Sequence, residues 1–343
     1  MRWWTLTLAC LTFFLFACSP ASPAPASAPL LVYTAREESQ VPALVDLFRA
    51  QHPEIDIRVV RESSGAAVAR LLAEKANPKA DAVWAMSATA LLLLEQADVL
   101  EAYAPAGIER VSPEFRDPAT PPRWVGINVF EAAFCVNPAE LKKLDARVPR
   151  GWEDLIRPEY RGSIVMPHPA SSGTGFLMVS HFVRYLGEEQ AWHFLDELHR
   201  NVAFYTHSGS KPCTLAVTGD YPIGLTYASV GLPHVQRGAP IELVWPKEKS
   251  AWDVEANALV KKPNTHPAAR TFMDWSISDA AMTEYAKNNP ITSVPSDRPL
   301  PPGYISEPLK QLAANDYNWA SANRSRILRK WIERYDAKSE PSP

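Results

Sequence analysis

Residues 30–48, which read LLVYTAREESQVPALVDLF, decide the fold of this chain. The stretch begins with an apolar run at residues 30–33, short enough to predict a buried strand. Apolar residues then recur at the i, i+3, i+4 and i+7 spacing of one helix face, and Pro53 limits this helix to about His52. The helix face is formed by Val41, Leu44, Val45 and Phe48. A strand followed by an amphipathic helix is the opening unit of an α/β fold.

The same alternation continues along the chain and restarts after residue 160. Residues 55–60 and 82–84 predict two further strands, with a helix marked by Val68 and Leu71 between them. The later predicted strands are residues 164–166, 202–205, 223–227 and 241–245, and helical spacing links Phe176 to Leu186 and Ala191 to Leu198. This pattern predicts two α/β lobes with mostly parallel sheets.

The lobes are assigned approximate bounds, because two chain crossings are what a hinged pair of lobes needs. We expect lobe 1 at residues 30–128, lobe 2 at 129–250, and a return segment with C-terminal helices at 251–335. The crossings are predicted near residues 125–135 and 245–255. Helical spacing in the return segment involves Phe272, Trp275, Met282, Trp319, Ile327 and Trp331. Residues 336–343 are predicted to be a disordered tail.

The N-terminus predicts export. Arg2 precedes a nearly unbroken apolar stretch at residues 3–16, and residues 19–29 are a Pro/Ala/Ser linker. We interpret residues 1–18 as an export signal, too short to span a membrane. Two outcomes stay open: acylation of Cys18, which would tether a periplasmic protein to the membrane, or ordinary cleavage within Ala26-Ser27-Ala28. No later stretch approaches the roughly 18 apolar residues of a membrane span.

Composition limits the partners and the covalent chemistry. The formal net charge of −3 over 343 residues gives no reason to expect nucleic acid as a partner. Two of the four cysteines belong to the export segment, which leaves Cys135 and Cys213 in an oxidising compartment. The compartment and the even count favour a disulfide, which would stabilise by about 4 kcal/mol in the chain-entropy model. Two separate buried thiols are the alternative.

Three Ser- and Gly-rich segments each stand directly before a helical apolar run, and they have the character of anion-binding sites. They are residues 63–65 (SSG), 171–175 (SSGTG) and 208–211 (SGSK). A helix start leaves backbone N–H groups unpaired, glycine permits close approach, and serine adds a hydroxyl donor. Ordinary helix capping is the alternative for each segment taken singly. The segments follow predicted strands, and ligands of open α/β sheets bind at the carboxyl ends of strands.

Several stretches carry a family resemblance that covers nearly all of residues 30–339. The most specific are residues 166–176 (MPHPASSGTGF) and 205–213 (YTHSGSKPC), supported by 31–35 (LVYTA), 71–75 (LLAEK), 91–94 (LLLL), 157–162 (RPEYRG), 318–320 (NWA) and 323–324 (NR). With these, the chain resembles the type II periplasmic solute-binding proteins of ABC importers, in the ferric-iron and polyamine-like branch. It is most similar to the 2-aminoethylphosphonate-binding proteins. The resemblance implies a ligand cleft between two lobes, an importer permease and ATPase as partners, and no enzymatic activity, cofactor or metal. We expect a monomer.

The ligand that this resemblance implies is a zwitterion, so two kinds of contact are expected. The residues predicted to hold the phosphonate are Ser64, Gly65, Thr89, Ser172, Gly173, Thr174, Ser208, Ser210 and Lys211. The ammonium needs a carboxylate or an aromatic face. For it the first candidate is Glu37, and the second candidates are Asp253 and Glu255, beside Trp252. The side chains predicted to cover the methylenes are Tyr33, Trp84 and Tyr227. We predict that Glu37→Gln weakens the aminophosphonate far more than a phosphonate without the amine.

Other functions stay open as alternatives. Ferric-binding relatives commonly carry two adjacent tyrosines and an early histidine, where this chain has Tyr227-Ala228 and Glu37, which makes iron the poorer fit. Inorganic phosphate and a polyamine are further candidate ligands. An enzyme is the alternative from another class, because Ser208-x-x-Lys211 has the spacing of a serine acyl-transfer site. The companion motifs Ser-Asp-Asn and Lys-Thr-Gly of such enzymes are absent from the sequence.

Overall fold

The computed structural model describes residues 28–295 and 298–341. The predicted export signal, Cys18 and most of the linker lie outside these residues. Ten strands are found in the described part: β1 (Leu30–Thr34), β2 (Ile57–Arg61), β3 (Ala82–Ser87), β4 (Leu100–Glu101), β5 (Val125–Val136), β6 (Ile164–Pro167), β7 (Val202–Thr206), β8 (Ile223–Tyr227), β9 (Glu242–Val244) and β10 (Trp252–Val260).

Twelve α-helices accompany the strands in the same described residues. They are α1 (Val41–Gln51), α2 (Ser64–Ala73), α3 (Ala88–Gln96), α4 (Pro138–Lys143), α5 (Gly173–Leu186), α6 (Glu188–Asn201), α7 (Lys211–Thr218), α8 (Ala228–Gln236), α9 (Pro267–Ser276), α10 (Asp279–Tyr285), α11 (Pro308–Gln311) and α12 (Tyr317–Tyr335). None of the described helices is long and apolar enough to cross a membrane.

Lobe 1 is built on a sheet with strand order β2-β1-β3-β10-β5. Strand β1 runs parallel to β2 and β3, whereas β10 runs antiparallel to β3 and to β5. Neither β5 nor β10 is among the strands that the sequence patterns predict. Nearly every residue of both strands is buried, polar ones included, so neither strand has the regular apolar and polar alternation that marks a half-buried strand.

Strand β5 belongs to both lobes and carries the chain between them. Its first part pairs with β10 up to Glu131, which lies opposite Trp252. From Ala132 onward it pairs antiparallel with β8 and, at its end, with β9. The change of sheet therefore lies at Glu131, and β10 returns the chain to lobe 1 from Trp252.

Lobe 2 continues from β5 through β8, β6 and β7, with β6 parallel to both of its neighbours. The structure confirms the disulfide between Cys135 on β5 and Cys213 on α7, with a Cα–Cα distance of 5.1 Å. Both cysteines are buried. The bridge fixes the first turns of α7, and with them the loop before this helix, to the strand that links the lobes.

The C-terminal part of the chain is divided between the lobes. Helices α9 and α10 pack in the core of lobe 1 through Phe272 and Met282. Helix α12 packs instead on the core of lobe 2, through Ile327 and Trp331 on one face, and it also contacts α3 of lobe 1. The chain thus passes between the lobes a third time, before α12.

The predicted disorder of the tail is wrong for residues 336–341. After α12, Ser339 pairs in parallel register with Tyr205 of β7. The Lys338 ammonium donates to the carbonyls of His199 and Val202, both at 2.6 Å. Strand β7 is the edge of the lobe 2 sheet, and an edge strand offers unpaired backbone groups to any neighbouring segment. That open edge holds the tail in place.

Candidate ligand-binding cleft

The cleft is formed where strands end and helices begin. Helices α2 and α3 of lobe 1 follow β2 and β3, and α5 of lobe 2 follows β6. Ser64 is the first residue of α2, and Ser87 and Ser172 are the N-cap residues of α3 and α5. All three serines are buried. The side chain of Ser87 makes no capping hydrogen bond to its helix. Hydroxyl groups and helix N-termini from both lobes therefore face one space.

The space around two glycines shows how closely the hydroxyl groups of the cleft approach the backbone. A Cβ on Gly173 would lie 3.2 Å from Ser64 Oγ and 3.5 Å from Ser87 Oγ, across the cleft. A Cβ on Gly209 would lie 2.7 Å from Thr174 Oγ1 and 3.0 Å from the Oγ of Ser172. Since a side chain at either position would fill the space between the hydroxyls, glycine keeps the backbone open to a ligand.

The two lobes are in direct contact beside this space. Ser63 Oγ and the Gly65 N–H both donate to the Ser171 carbonyl, at 2.8 and 3.1 Å. A Cβ on Gly65 would lie 2.3 Å from the Ala170 carbonyl oxygen. The described structure is thus a closed arrangement, and its closure requires a glycine at position 65.

A cavity of about 40 Å³ lies between the lobes, room for a few water-sized groups. Its lining combines hydroxyl and glycine groups with charged and aromatic side chains. It is lined by Ala35, Glu37, Arg61, Ser63, Ser64, Ala85, Ser87, Phe130, Ser172, Gly173, Thr174, Gly209, Tyr227 and Glu255. The cavity therefore offers hydroxyl and glycine groups suited to an anion together with two carboxylates.

One carboxylate of the cavity lining, Glu255, belongs to a buried ion pair. Arg36 is almost fully buried, and its Nη2 lies 3.0 Å from Glu255 Oε2 and donates to Asn128 at 2.7 Å. The Asn128 amide in turn donates to Glu255 Oε2 at 2.9 Å. Burial raises the pKa of Glu255, and the Arg36 guanidinium acts against that shift.

A second polar contact joins the lobes across the cavity. The Tyr227 hydroxyl of lobe 2 donates to Glu37 Oε1 of lobe 1. Arg61 lies 3.4 Å from the same oxygen. Burial, and next the nearby Glu37, raise the pKa of Tyr227 well above its usual value, so the phenol keeps its proton for this bond.

Four predicted residues outside the three Ser- and Gly-rich segments lie away from the cavity. Trp84 is in the core of lobe 1, where its indole N–H donates to Tyr285 at 3.1 Å. The hydroxyl of Tyr33 donates to Glu74, with Arg70 against its ring. Both side chains of this pair are core residues rather than ligand contacts, because their strands bury them under the helices.

The other two, Thr89 and Asp253, bind each other. Thr89 Oγ1 donates to Asp253 Oδ2 at 2.7 Å, and the Val254 N–H donates to Oδ1 at 2.7 Å. Burial raises the pKa of Asp253 to about 6. Its partners hold this carboxylate behind the start of α3, outside the cavity lining.

The third predicted segment contributes only Gly209 to the cavity. Ser208 Oγ accepts from the backbone N–H groups of Ser210 and Lys211, both at 3.3 Å, and so caps α7. The Lys211 ammonium pairs with Glu340 at the rim. Ser208 therefore caps a helix. The Lys211 ammonium is bound to Glu340 and is not positioned to act as a base on the Ser208 hydroxyl.

The prediction did not include Arg61, Ser63 and Phe130 among the ligand contacts, whereas it named Glu255 among the second candidates for the ammonium. Arg61 ends β2 and Ser87 ends β3, so the rule of strand carboxyl ends identifies both. Phe130 and Glu255 lie on β5 and β10, the two strands that the sequence patterns miss.

Comparison with known proteins agrees with this geometry. The family model described as bacterial extracellular solute-binding protein matches residues 77–321. An uncharacterized protein of Haemophilus influenzae is 28% identical over 288 residues, covering 82% of this chain and 83% of its own length. The Fe(3+)-binding periplasmic protein of Serratia marcescens is 27% identical over 211 residues, 60% of this chain and 59% of its own.

A solved structure extends the likeness to the whole fold. The periplasmic binding protein AfuA from Actinobacillus pleuropneumoniae, with exogenous fructose-6-phosphate bound, superposes with a TM-score of 0.82 at 26% identity. The match covers 90% of this chain and 98% of AfuA. It confirms the predicted architecture of α/β lobes around a cleft.

Proposed function

Because the chain belongs to the family of bacterial extracellular solute-binding proteins, we propose that it captures a small phosphonate, foremost 2-aminoethylphosphonate, for an ABC importer. The fold is that of a type II periplasmic binding protein, and the relatives are periplasmic binding proteins rather than enzymes. The permease and ATPase of the importer are the implied partners. Acylation of Cys18 stays a prediction.

One observation carries the choice of a phosphoryl-type group: helix starts from both lobes converge, with their hydroxyls, on one small cavity. Ser64, Ser87 and Ser172 open three different helices there. Unpaired N–H groups and the positive ends of helices bind tetrahedral oxyanions without needing a cation. The fructose-6-phosphate in the AfuA structure carries a phosphoryl group of the same shape, which supports this choice.

The carboxylates of the lining support a zwitterion over inorganic phosphate. Glu37 and Glu255 line the cavity together with Arg61, and carboxylates repel a second anionic group. A cavity of about 40 Å³ favours a ligand with few atoms beyond its oxyanion. Iron is disfavoured because Tyr227 is followed by Ala228 rather than by a second phenolate donor.

Isothermal titration calorimetry of the processed chain tests the proposal. The ligands are 2-aminoethylphosphonate, inorganic phosphate, ferric ion, putrescine and fructose 6-phosphate, and we expect the aminophosphonate to bind most tightly, one per chain. Tight ferric binding without any response to 2-aminoethylphosphonate would overturn the assignment. Tight binding of fructose 6-phosphate alone would replace the phosphonate by a sugar phosphate.

A matched pair of serine variants tests the location of the oxyanion. Ser172 and Ser208 both cap a helix, but only Ser172 lines the cavity. We expect Ser172→Ala to weaken phosphonate binding by about 10- to 100-fold, the loss of one hydrogen bond to a charged group. Ser208→Ala loses a cap as well but should change the affinity by less than about 3-fold. Equal losses would place the oxyanion elsewhere.

A further inference from the structure

Glu37, Asp253 and Glu255 are the candidate carboxylates for the ammonium end of the ligand, and each has a different environment. Asp253 is excluded by its partners. Both of its oxygens accept hydrogen bonds from within the chain, from Thr89 and Val254, and the residue is 1% exposed. It does not line the cavity.

Glu37 lines the cavity but is already engaged. Its Oε1 accepts the Tyr227 hydroxyl from the opposite lobe, and Arg61 lies beside the same atom. Its Oε2 accepts no hydrogen bond from the described residues, so Glu37 differs from Glu255 in two other ways: the opposite lobe binds its Oε1, and its side chain is 17% exposed against 10% for Glu255. The position of Glu37 is that of a latch, which joins lobe 1 to lobe 2 when the cleft is closed.

Glu255 offers an oxygen to the cavity. The residue is 8% exposed and lines the cavity, and both of its contacts within residues 28–295 and 298–341 go to Oε2. Its Oε1 accepts no hydrogen bond from these residues. The free oxygen of this buried carboxylate thus belongs to the space that the ligand would occupy.

The surroundings of Glu255 hold that oxygen in a fixed position. Arg36 and Asn128 fix Oε2, and Arg36 is itself held by Gln40 at 2.6 Å and by the ring of Tyr285, 4.6 Å from its Cζ. A carboxylate locked in this way loses little entropy when it accepts a further donor, so it is pre-organised for one.

We propose that Glu255, positioned by Arg36 and Asn128, is the subsite for a primary ammonium group of the ligand, and that Glu37 acts as the interlobe latch. The inference rests on the proposed function for the identity of the ligand, 2-aminoethylphosphonate. The ammonium would donate to Oε1, and an N–H···O bond between two charged groups is about twice as strong as a neutral one. Burial disfavours the ionised form of Glu255, and a cation in the cavity offsets that cost.

The test compares two ligands that differ only in the amine, 2-aminoethylphosphonate and ethylphosphonate, by calorimetry on each protein variant. We expect the unmodified chain to prefer the aminophosphonate by about 100-fold or more. In Glu255→Gln this preference should shrink to less than about 5-fold, because an amide cannot neutralise an ammonium. Ethylphosphonate should lose little affinity, since it does not use Glu255.

Glu37→Gln is the matched control, a second cavity carboxylate changed in the same way. Because Glu37 joins the two lobes, this variant should weaken both ligands by a similar factor and keep the preference for the amine, in contrast to the amine-selective loss expected from the sequence. A Glu255→Gln variant that loses both ligands equally, or a Glu37→Gln variant that loses the preference, would overturn the proposal.

Two further measurements separate the remaining outcomes. The double variant Arg36→Met/Glu255→Gln leaves no unpaired buried charge, so if Glu255→Gln alone melts early, the double variant carries the ligand comparison. If the chain binds hexose phosphates and no phosphonate, the proposed function is wrong while the subsite is still testable. The ligands are then glucosamine 6-phosphate and glucose 6-phosphate, and the absence of any amine preference there would overturn the subsite.

Discussion

Glu131 stands at the point where β5 passes from one lobe to the other, and it is buried. Its Oε1 accepts hydrogen bonds from Tyr304 and Trp245. Burial raises the pKa of this carboxyl to about 7, although both hydrogen bonds act in the opposite direction. The hinge thus contains an acid that changes charge near neutral pH.

The pKa shift of Glu131 predicts a pH-dependent cost in stability. The unfolded chain ionises this group near pH 4.5 and the folded chain near pH 7, so the favourable contribution is complete below pH 4.5 and is lost as the pH rises toward 7. Glu131→Gln removes the ionisation. Relative to the unmodified chain, the variant should gain about 3 kcal/mol of unfolding free energy between pH 4.5 and pH 8, measured by urea denaturation. An equal difference at both pH values would contradict the assignment.

Residue roles were only partly predictable from the sequence, and serines illustrate why. Ser172 and Ser208 stand in similar Ser/Gly segments before helices, yet one lines the cavity and the other caps α7 at the rim. The difference comes from which residue of each turn faces the opposite lobe. In the third segment that residue is Gly209. No local sequence pattern indicates which residue of a turn faces the opposite lobe.

The C-terminal segment, residues 336–341, shows at the scale of an element how the rim is built. Glu340 binds the Lys211 ammonium and the His207 N–H, and a surface cavity there is shared with Arg61. The tail therefore places a carboxylate among the cations at one entrance of the cleft. An anionic ligand that enters on this side meets less positive charge than the cations alone would supply.

Glu340→Gln should therefore speed the association of an anionic ligand. We expect a rise of about 2- to 5-fold in the association rate at low salt, vanishing in high salt as screening removes the long-range attraction. Stopped-flow tryptophan fluorescence with 2-aminoethylphosphonate measures it. Glu197→Gln is the control, because Glu197 pairs with Arg200 on α6, which ends where β7 begins, at the edge of the sheet away from the cleft. A rate that falls, or a gain equal in both variants, would exclude this role for the tail.

The elements themselves were largely predictable where their pattern is local. Helix α1 and strands β1, β2 and β3 follow from apolar spacing, and so does the parallel half of each sheet. Strands β5 and β10 do not, because they are buried along almost their whole length and include Asn128 and Glu255. Their polar residues are paired across the structure, which a window of sequence cannot show.

At the scale of the whole molecule, closure of the lobes depends on Gly65, because this residue has no Cβ atom. Gly65 donates to the Ser171 carbonyl, and a methyl group on it would overlap the Ala170 carbonyl. Gly65 also lies in the first turn of α2. A substitution there blocks the approach of the lobes but leaves each lobe intact.

Gly65→Ala should thus lower ligand affinity without lowering stability. Alanine is favoured over glycine in a helix by about 1 kcal/mol, so the melting temperature without ligand should stay level or rise. We expect affinity for 2-aminoethylphosphonate to fall more than about 10-fold, as a backbone clash must be relieved before closure. Small-angle scattering should show no ligand-induced decrease in the radius of gyration. Ala66→Ser, at the exposed next position, is the control and should close normally; a Gly65→Ala variant that compacts equally would refute the steric block.

The sequence by itself predicted the α/β class, the two lobes and the helix starts at the cleft, and it favoured the pairing of Cys135 with Cys213. These follow from local spacing, from residue chemistry and from the resemblance of long segments. Only the tertiary structure decided that Glu255 rather than Asp253 reaches the cavity, that the residue 208–211 segment forms its rim, and that α12 and the tail pack on lobe 2. Those facts depend on which faces of distant elements pack against each other, and a local sequence pattern does not contain that information.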